Sequence, residues 1–211
     1  PSVASSYGAI GSVQSREADL NLLSSSINNA LGELDSNSSE ASEQNEIDYW
    51  GSAVKNYNMA QTNFEKALAI NLSSFGEQHP SVASSYGAIG WIYFQRDWDL
   101  NKALENYEKA LEINIKIFGE NHPDTANSYQ RIAIVKRNLG DLDLALMNYD
   151  KALNIVVSLY GEEYSGLSHI LYNSSLIYLD KKDFDTAIIR LERALSLDLK
   201  YLGENNSILA Y

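Results

Sequence analysis

The sequence predicts an all-α solenoid of antiparallel helix pairs whose first pair is elongated by an insertion. Three observations carry that expectation: a recurring block, a second marker that keeps step with it, and a composition suited to helices. The block Phe64-Glu-Lys-Ala67-Leu-Ala-Ile70 returns as Tyr107-Glu-Lys-Ala110-Leu-Glu-Ile113, Tyr149-Asp-Lys-Ala152-Leu-Asn-Ile155 and Leu191-Glu-Arg-Ala194-Leu-Ser-Leu197, at spacings of 43, 42 and 42 residues. Gly76-Glu-Gln-His-Pro80 returns as Gly119-Glu-Asn-His-Pro123, Gly161-Glu-Glu-Tyr-Ser165 and Gly203-Glu-Asn-Asn-Ser207 with the same spacings. A period of this length is the mark of stacked supersecondary units. Hydrophobic residues make up 45 % of the 211, with 14 Tyr and only 3 Pro. That is too apolar for disorder and too poor in turn formers for an all-β chain.

The first unit spans residues 1–79. Its opening, Pro1 to Gly11, is repeated letter for letter as Pro80 to Gly90, which marks a duplication within the gene. Compared with the second unit it carries 36 extra residues between its helix markers, an insertion at about 15–59. Residues 17–34 place Leu20, Leu23, Ile27, Ala30, Leu31 and Leu34 at helical spacing and predict an amphipathic helix. Asp35 to Glu46 has a single apolar residue and reads as a mobile acidic loop, with helix resuming near Ile47. The simplest geometry lengthens both helices of the unit into a protruding hairpin.

The second unit spans residues 80–122. A helix starting on Pro80, whose fixed φ and missing N–H suit a first helical position, carries Tyr86, Ile89, Ile92 and Tyr93 on one face. Gln95-Arg96-Asp97 reads as a polar hinge, and the second helix runs to Gly119 with Ala103, Tyr107, Ala110 and Leu111 in a stripe. The glycine suits a helix stop that needs a left-handed backbone. The third unit, 123–164, and the fourth, 165–206, follow the same plan, and 207–211 begin a further pair. His79 and His122 belong to the connectors, where a turn and capping role accounts for them.

The function classes thin out quickly. A net charge of −12 disfavours nucleic acid and anionic membrane surfaces. The absence of Cys removes disulfides and thiolate chemistry. No phosphate loop, nucleophile elbow or His-Glu-x-x-His pair occurs. Asp97-x-Asp99-x-Asn101 imitates a calcium loop, but Lys102 stands where the sharp turn needs Gly and helix follows at once. No enzyme, cofactor or metal is expected. No apolar run has membrane-spanning length, and a chain opening on Pro1 without Met or an apolar leader reads as a slice of a longer cytoplasmic protein.

Tyr86, Ile89, Gly90, Tyr93, Ala103, Tyr107 and Ala110 together resemble the tetratricopeptide repeat. The 42-residue period and the Gly-Glu-Asn-His-Pro connector are similar to the sub-type found in kinesin light chains. The likeness departs at Ala133 and Lys136, and again at Ser174 and Ser175. It implies a right-handed superhelix whose first helices line a concave groove that binds a peptide or partner helix. Position by position, the groove would present Trp91, Phe94 and Gln95 from the second unit, and Asn127, Gln130, Arg131, Ile134, Arg137 and Asn138 from the third. The fourth would add His169, Tyr172, Asn173 and Leu176. Arg131 and Arg137 in so acidic a chain suggest an acidic or C-terminal carboxylate ligand, held through planar guanidinium groups. The amides suit a peptide backbone and the aromatics supply apolar anchors. The competing expectations are self-association through open repeat ends, in a structural subunit that stacks end to end, and a sensor arm of a larger enzyme.

Overall fold

The computed structural model describes residues 39–97 and 99–202, with side chains for 51–95 and 99–201. The described residues form seven α-helices and one π-helical turn, with no strand. The helices are α1 (Ser39–Phe75), α2 (Pro80–Ile92), α3 (Leu100–Phe118), α4 (Pro123–Asn138), α5 (Leu142–Tyr160), α6 (Leu167–Asp180) and α7 (Phe184–Leu202), and the π turn, Tyr93–Asp97, extends α2. No helix among the described residues is long and apolar enough to cross a membrane. The chain divides into two compact units, Pro1–Asp99 and Leu100–Tyr211.

In the first unit, α1 is a helix of 37 residues, about 55 Å long at 1.5 Å per residue. It corrects the expected acidic loop. Ser39 to Glu46 are its first turns, where Glu40 and Glu43 face the positive end of the helix dipole, a stabilising arrangement that low hydrophobicity alone concealed. The expected helix over 17–34 lies outside the described residues. Further along α1, Ala53, Tyr57, Ala60, Phe64, Ala67 and Asn71 are buried, recurring every three or four residues. Tyr57, Ala60 and Phe64 form a cluster with Ile89 and Ile92 of α2, against which Leu68, Trp91 and Tyr93 pack.

The expected hinge Gln95-Arg96-Asp97 is instead part of the π turn. The repeat has a residue to spare at this point. Tyr86 and Ala103 are 17 apart, whereas Tyr129 and Ala145, like Leu171 and Ala187, are 16 apart. A π turn takes in an added residue without breaking the helix.

In the second unit, α3 to α7 pack consecutively, each against the next. Ala126, Ala133, Ala145 and Ala152 are almost wholly enclosed, and their small side chains let neighbouring helices close up around Tyr129 and Tyr149. Full enclosure of Ile170 and Ile177 contributes ~1.5–3 kcal/mol apiece. Where Ser174 and Ser175 replace the usual Leu and Gly, the unit builds a polar layer. Ser174 Oγ receives a hydrogen bond from Arg190 at 2.8 Å, and Arg190 also reaches Asp150 at 3.1 Å and lies over the Tyr178 ring.

Candidate functional site

The helices α4 and α6 hold most of the expected groove residues, and they touch one another. Their ends are built differently. His122 caps α4, its Nδ1 accepting from the Asp124 N–H at 3.2 Å, and Pro123 opens the helix. Lys136 and Arg137 close it in the last turn, where cations suit the negative end of the dipole. Helix α6 begins after Gly166 with no side-chain cap, and Lys182 follows it at φ 61, the one non-glycine among the described residues in the left-handed region.

A row of polar side chains crosses the two helices. The Asn173 amide donates to the backbone oxygen of His169 at 2.8 Å and faces His169 Nε2 at 3.0 Å. With Nε2 accepting, Nδ1 carries the hydrogen and directs it to Gln130 Oε1 on α4, at 3.4 Å. Gln130, His169 and Asn173 are therefore one assembly, although Gln130 and His169 lie 39 residues apart. Beside it, Tyr172 is 51 % exposed and Leu179 39 % exposed. Asn127 is exposed near the start of α4, while Ile134 and Leu176 are half-buried. Asn138 turns back onto its own helix, donating to the Ile134 carbonyl at 2.7 Å.

The two arginines are already engaged within the unit. Arg137 Nε pairs with Asp180 Oδ2 at 2.6 Å, joining the far ends of α4 and α6. Arg131 lies over the Tyr107 ring, 5.6 Å from its centroid. Burial pushes the Tyr107 phenol above its ordinary value, and the Arg131 charge partly offsets the rise. Lys181 pairs with Asp143, adding a second contact across the end of the face. Trp91, Phe94 and Gln95 lie in the other unit, where Trp91 and Phe94 meet at 6.2 Å and Trp91 packs on the first unit's core. The structure thus brings together the residues of α4 and α6, and the second unit holds them without Trp91, Phe94 and Gln95.

Sequence reasoning missed Asp180, whose charge decides what Arg137 can do, and it missed two buried clasps at the connectors. Asn71 donates to the Ser81 carbonyl at 3.2 Å and to Ser85 Oγ at 3.1 Å. Asn114 repeats this with the Asp124 carbonyl at 3.3 Å and Ser128 Oγ at 3.0 Å. Their signal was present, since Asn71 and Ser85 both recur at the repeat spacing. Among the described residues, no cluster of three or more His, Asp or Glu side chains could hold a metal ion.

A family model of the tetratricopeptide repeat matches residues 52–100, 99–137 and 129–200. The fold is similar to that of BtubC (BKLC) from P. vanneervenii, with a TM-score of 0.65 at 21 % identity over 92 % of this chain and 76 % of that one. It is also similar to the nearly identical TPR-like repeats of a proposed kinesin light chain from Podosopora anserina, with a TM-score of 0.61 at 19 % identity over 72 % of each chain. MamA gives a TM-score of 0.51 at 18 % identity over 83 % of this chain and 86 % of that one. No curated protein matches the sequence.

Proposed function

Because the chain belongs to the tetratricopeptide-repeat family, we propose that it is a protein-binding scaffold whose α4–α6 face takes an extended peptide or a partner helix. The observation that carries this reading is the Gln130–His169–Asn173 row, which spans both helices beside exposed Tyr172 and Leu179. A peptide backbone offers alternating N–H and C=O groups, and side-chain amides answer both. Tyr172 and Leu179 supply apolar surface for anchor residues of the ligand. Members of the family are generally non-catalytic scaffolds, and catalysis forms no part of the reading.

An acidic ligand enters on particular terms. Its carboxylate must compete with Asp180 for Arg137, and Arg131 must leave the Tyr107 ring. The face therefore reads backbone and apolar side chains first, with acidity as a secondary preference. Selection of peptides from a displayed random library against the 211-residue chain supplies ligands, and hydrogen exchange with a selected peptide locates them. The expected result is added protection in α4 and α6. Protection confined to residues 51–95 would place the ligand elsewhere and end the proposal.

A further inference from the structure

On α5, Leu142, Leu146, Leu153 and Val157 form a stripe packed against the core of the second unit. At the same positions 42 residues on, α7 carries Phe184, Ile188, Leu195 and Leu199, exposed by 58, 52, 51 and 39 %. The other exposed apolar residues of α7, Ile189 and Tyr201, correspond to Met147 and Leu159, which are exposed on α5 as well and are ordinary surface. The difference between the two helices is thus confined to the stripe that a following first helix covers.

The described residues also show what kind of helix fits such a stripe. On α1 the corresponding positions include Tyr57, 2 % exposed, and Leu68, both in the cluster formed with Ile89 and Ile92 of α2. The first eleven residues of α2, Pro80 to Gly90, are identical to Pro1 to Gly11. We infer that the open stripe of α7 is the docking face for Pro1–Gly11 of a second copy, so that copies associate head to tail.

Two features of the sequence favour that occupant. Pro1–Gly11 contains no charged side chain, so it can lie on an apolar stripe without burying a charge and adds nothing to the repulsion between two chains of net charge −12. Asp198 occupies the position of Asn71 and Asn114, and Ser6 that of Ser85. The clasp then re-forms with roles exchanged, the Ser6 hydroxyl donating to the carboxylate. One helix laid on one face falls at the small end of specific interfaces, so the association is weak and concentration-dependent. Because the surfaces differ, the contact is heterologous and continues into open chains of copies. This inference is independent of the α4–α6 reading, which involves none of these residues.

Sedimentation equilibrium of the 211-residue chain from about 1 μM to about 1 mM tests it. The expected result is a rise in mean mass with concentration, abolished by Ile188→Asp on the stripe and equally by Ile10→Asp in the docking segment. Mixing the two variants should restore association, stopped at one-to-one pairs, because each keeps the surface the other lacks. Circular dichroism checks that both remain helical, with Leu195→Ser and Ile10→Ser as milder replacements. A mass that stays monomeric throughout, an Ile10 variant that associates like the unmodified chain, or a mixture that remains monomeric would each overturn the proposal.

Discussion

Two connectors of the molecule are held by polar clasps and a third is not. At the first, Phe75 stacks on His79 with ring centroids 4.2 Å apart, and at the second Phe118 stacks on His122 at the same distance. Each histidine caps the helix that follows, and Asn71 or Asn114 ties that helix back through Ser85 or Ser128. At the third connector Tyr160 stacks on Tyr164 at 4.6 Å, and Val156 and Ile170 fill the places of Asn and Ser. There the loop is held from outside, by Arg193 and Lys200 of α7 on Glu163, whose carboxyl they draw below its ordinary value. The backbone turn is nevertheless the same, with Gly76, Gly119 and Gly161 at φ 76, 83 and 82. The glycine sets the turn, and the locking pair above it is exchangeable so long as both members change together. The candidate binding face joins these two regimes, since α4 enters through a clasp and α6 through the apolar junction.

The comparison can be broken most severely with alkali. Burial raises the phenols of Tyr107 and Tyr149, so their folded forms hold protons that the unfolded chain releases from about pH 10 upward. Their contribution is complete below that value and is lost as pH rises through it, so both sides of the second unit's connectors should unfold together. A single change at one junction should cost less. Val156→Asn sets an amide against Ile170 and should cost about 3 kcal/mol in urea unfolding, with roughly half returned by adding Ile170→Ser. Asn114→Ala removes two hydrogen bonds and packed volume, for about 2 kcal/mol. Gly166→Ala brings a Cβ to 2.4 Å from the Tyr164 ring and should unstack it from Tyr160, costing about 1 kcal/mol with a change in near-ultraviolet circular dichroism. Lys182→Gly should stabilise by about 0.5–1 kcal/mol, since Lys182 holds at φ 61 the place that Gly140 holds at φ 85.

The helix starts at Pro80 and Pro123, the caps on His79 and His122, and the stops at Gly76, Gly119 and Gly161 were legible because each depends on residues within one turn of the boundary. Ser39 to Glu46 were misread because composition says nothing of where a helix already under way begins. The π turn hid in a one-residue difference of period. On the candidate face, Gln130, His169 and Asn173 could be named from their helix positions, but their contact could not be read from spacing alone. The basic character read from Arg131 and Arg137 did not anticipate Tyr107 and Asp180, partners 24 and 43 residues away in sequence and adjacent only once the helices stack.

Asp180→Ala with a peptide of acidic sequence refines the charge question, but the most direct test uses any library-selected peptide and two chains. Calorimetric titration of the unmodified chain and of Asn173→Ala should show affinity falling about tenfold, as expected for a lost hydrogen-bonding group worth ~1.4 kcal/mol, with the melting temperature unchanged because Asn173 lies on the surface row. Equal affinity for the two chains would contradict the assignment of the α4–α6 face.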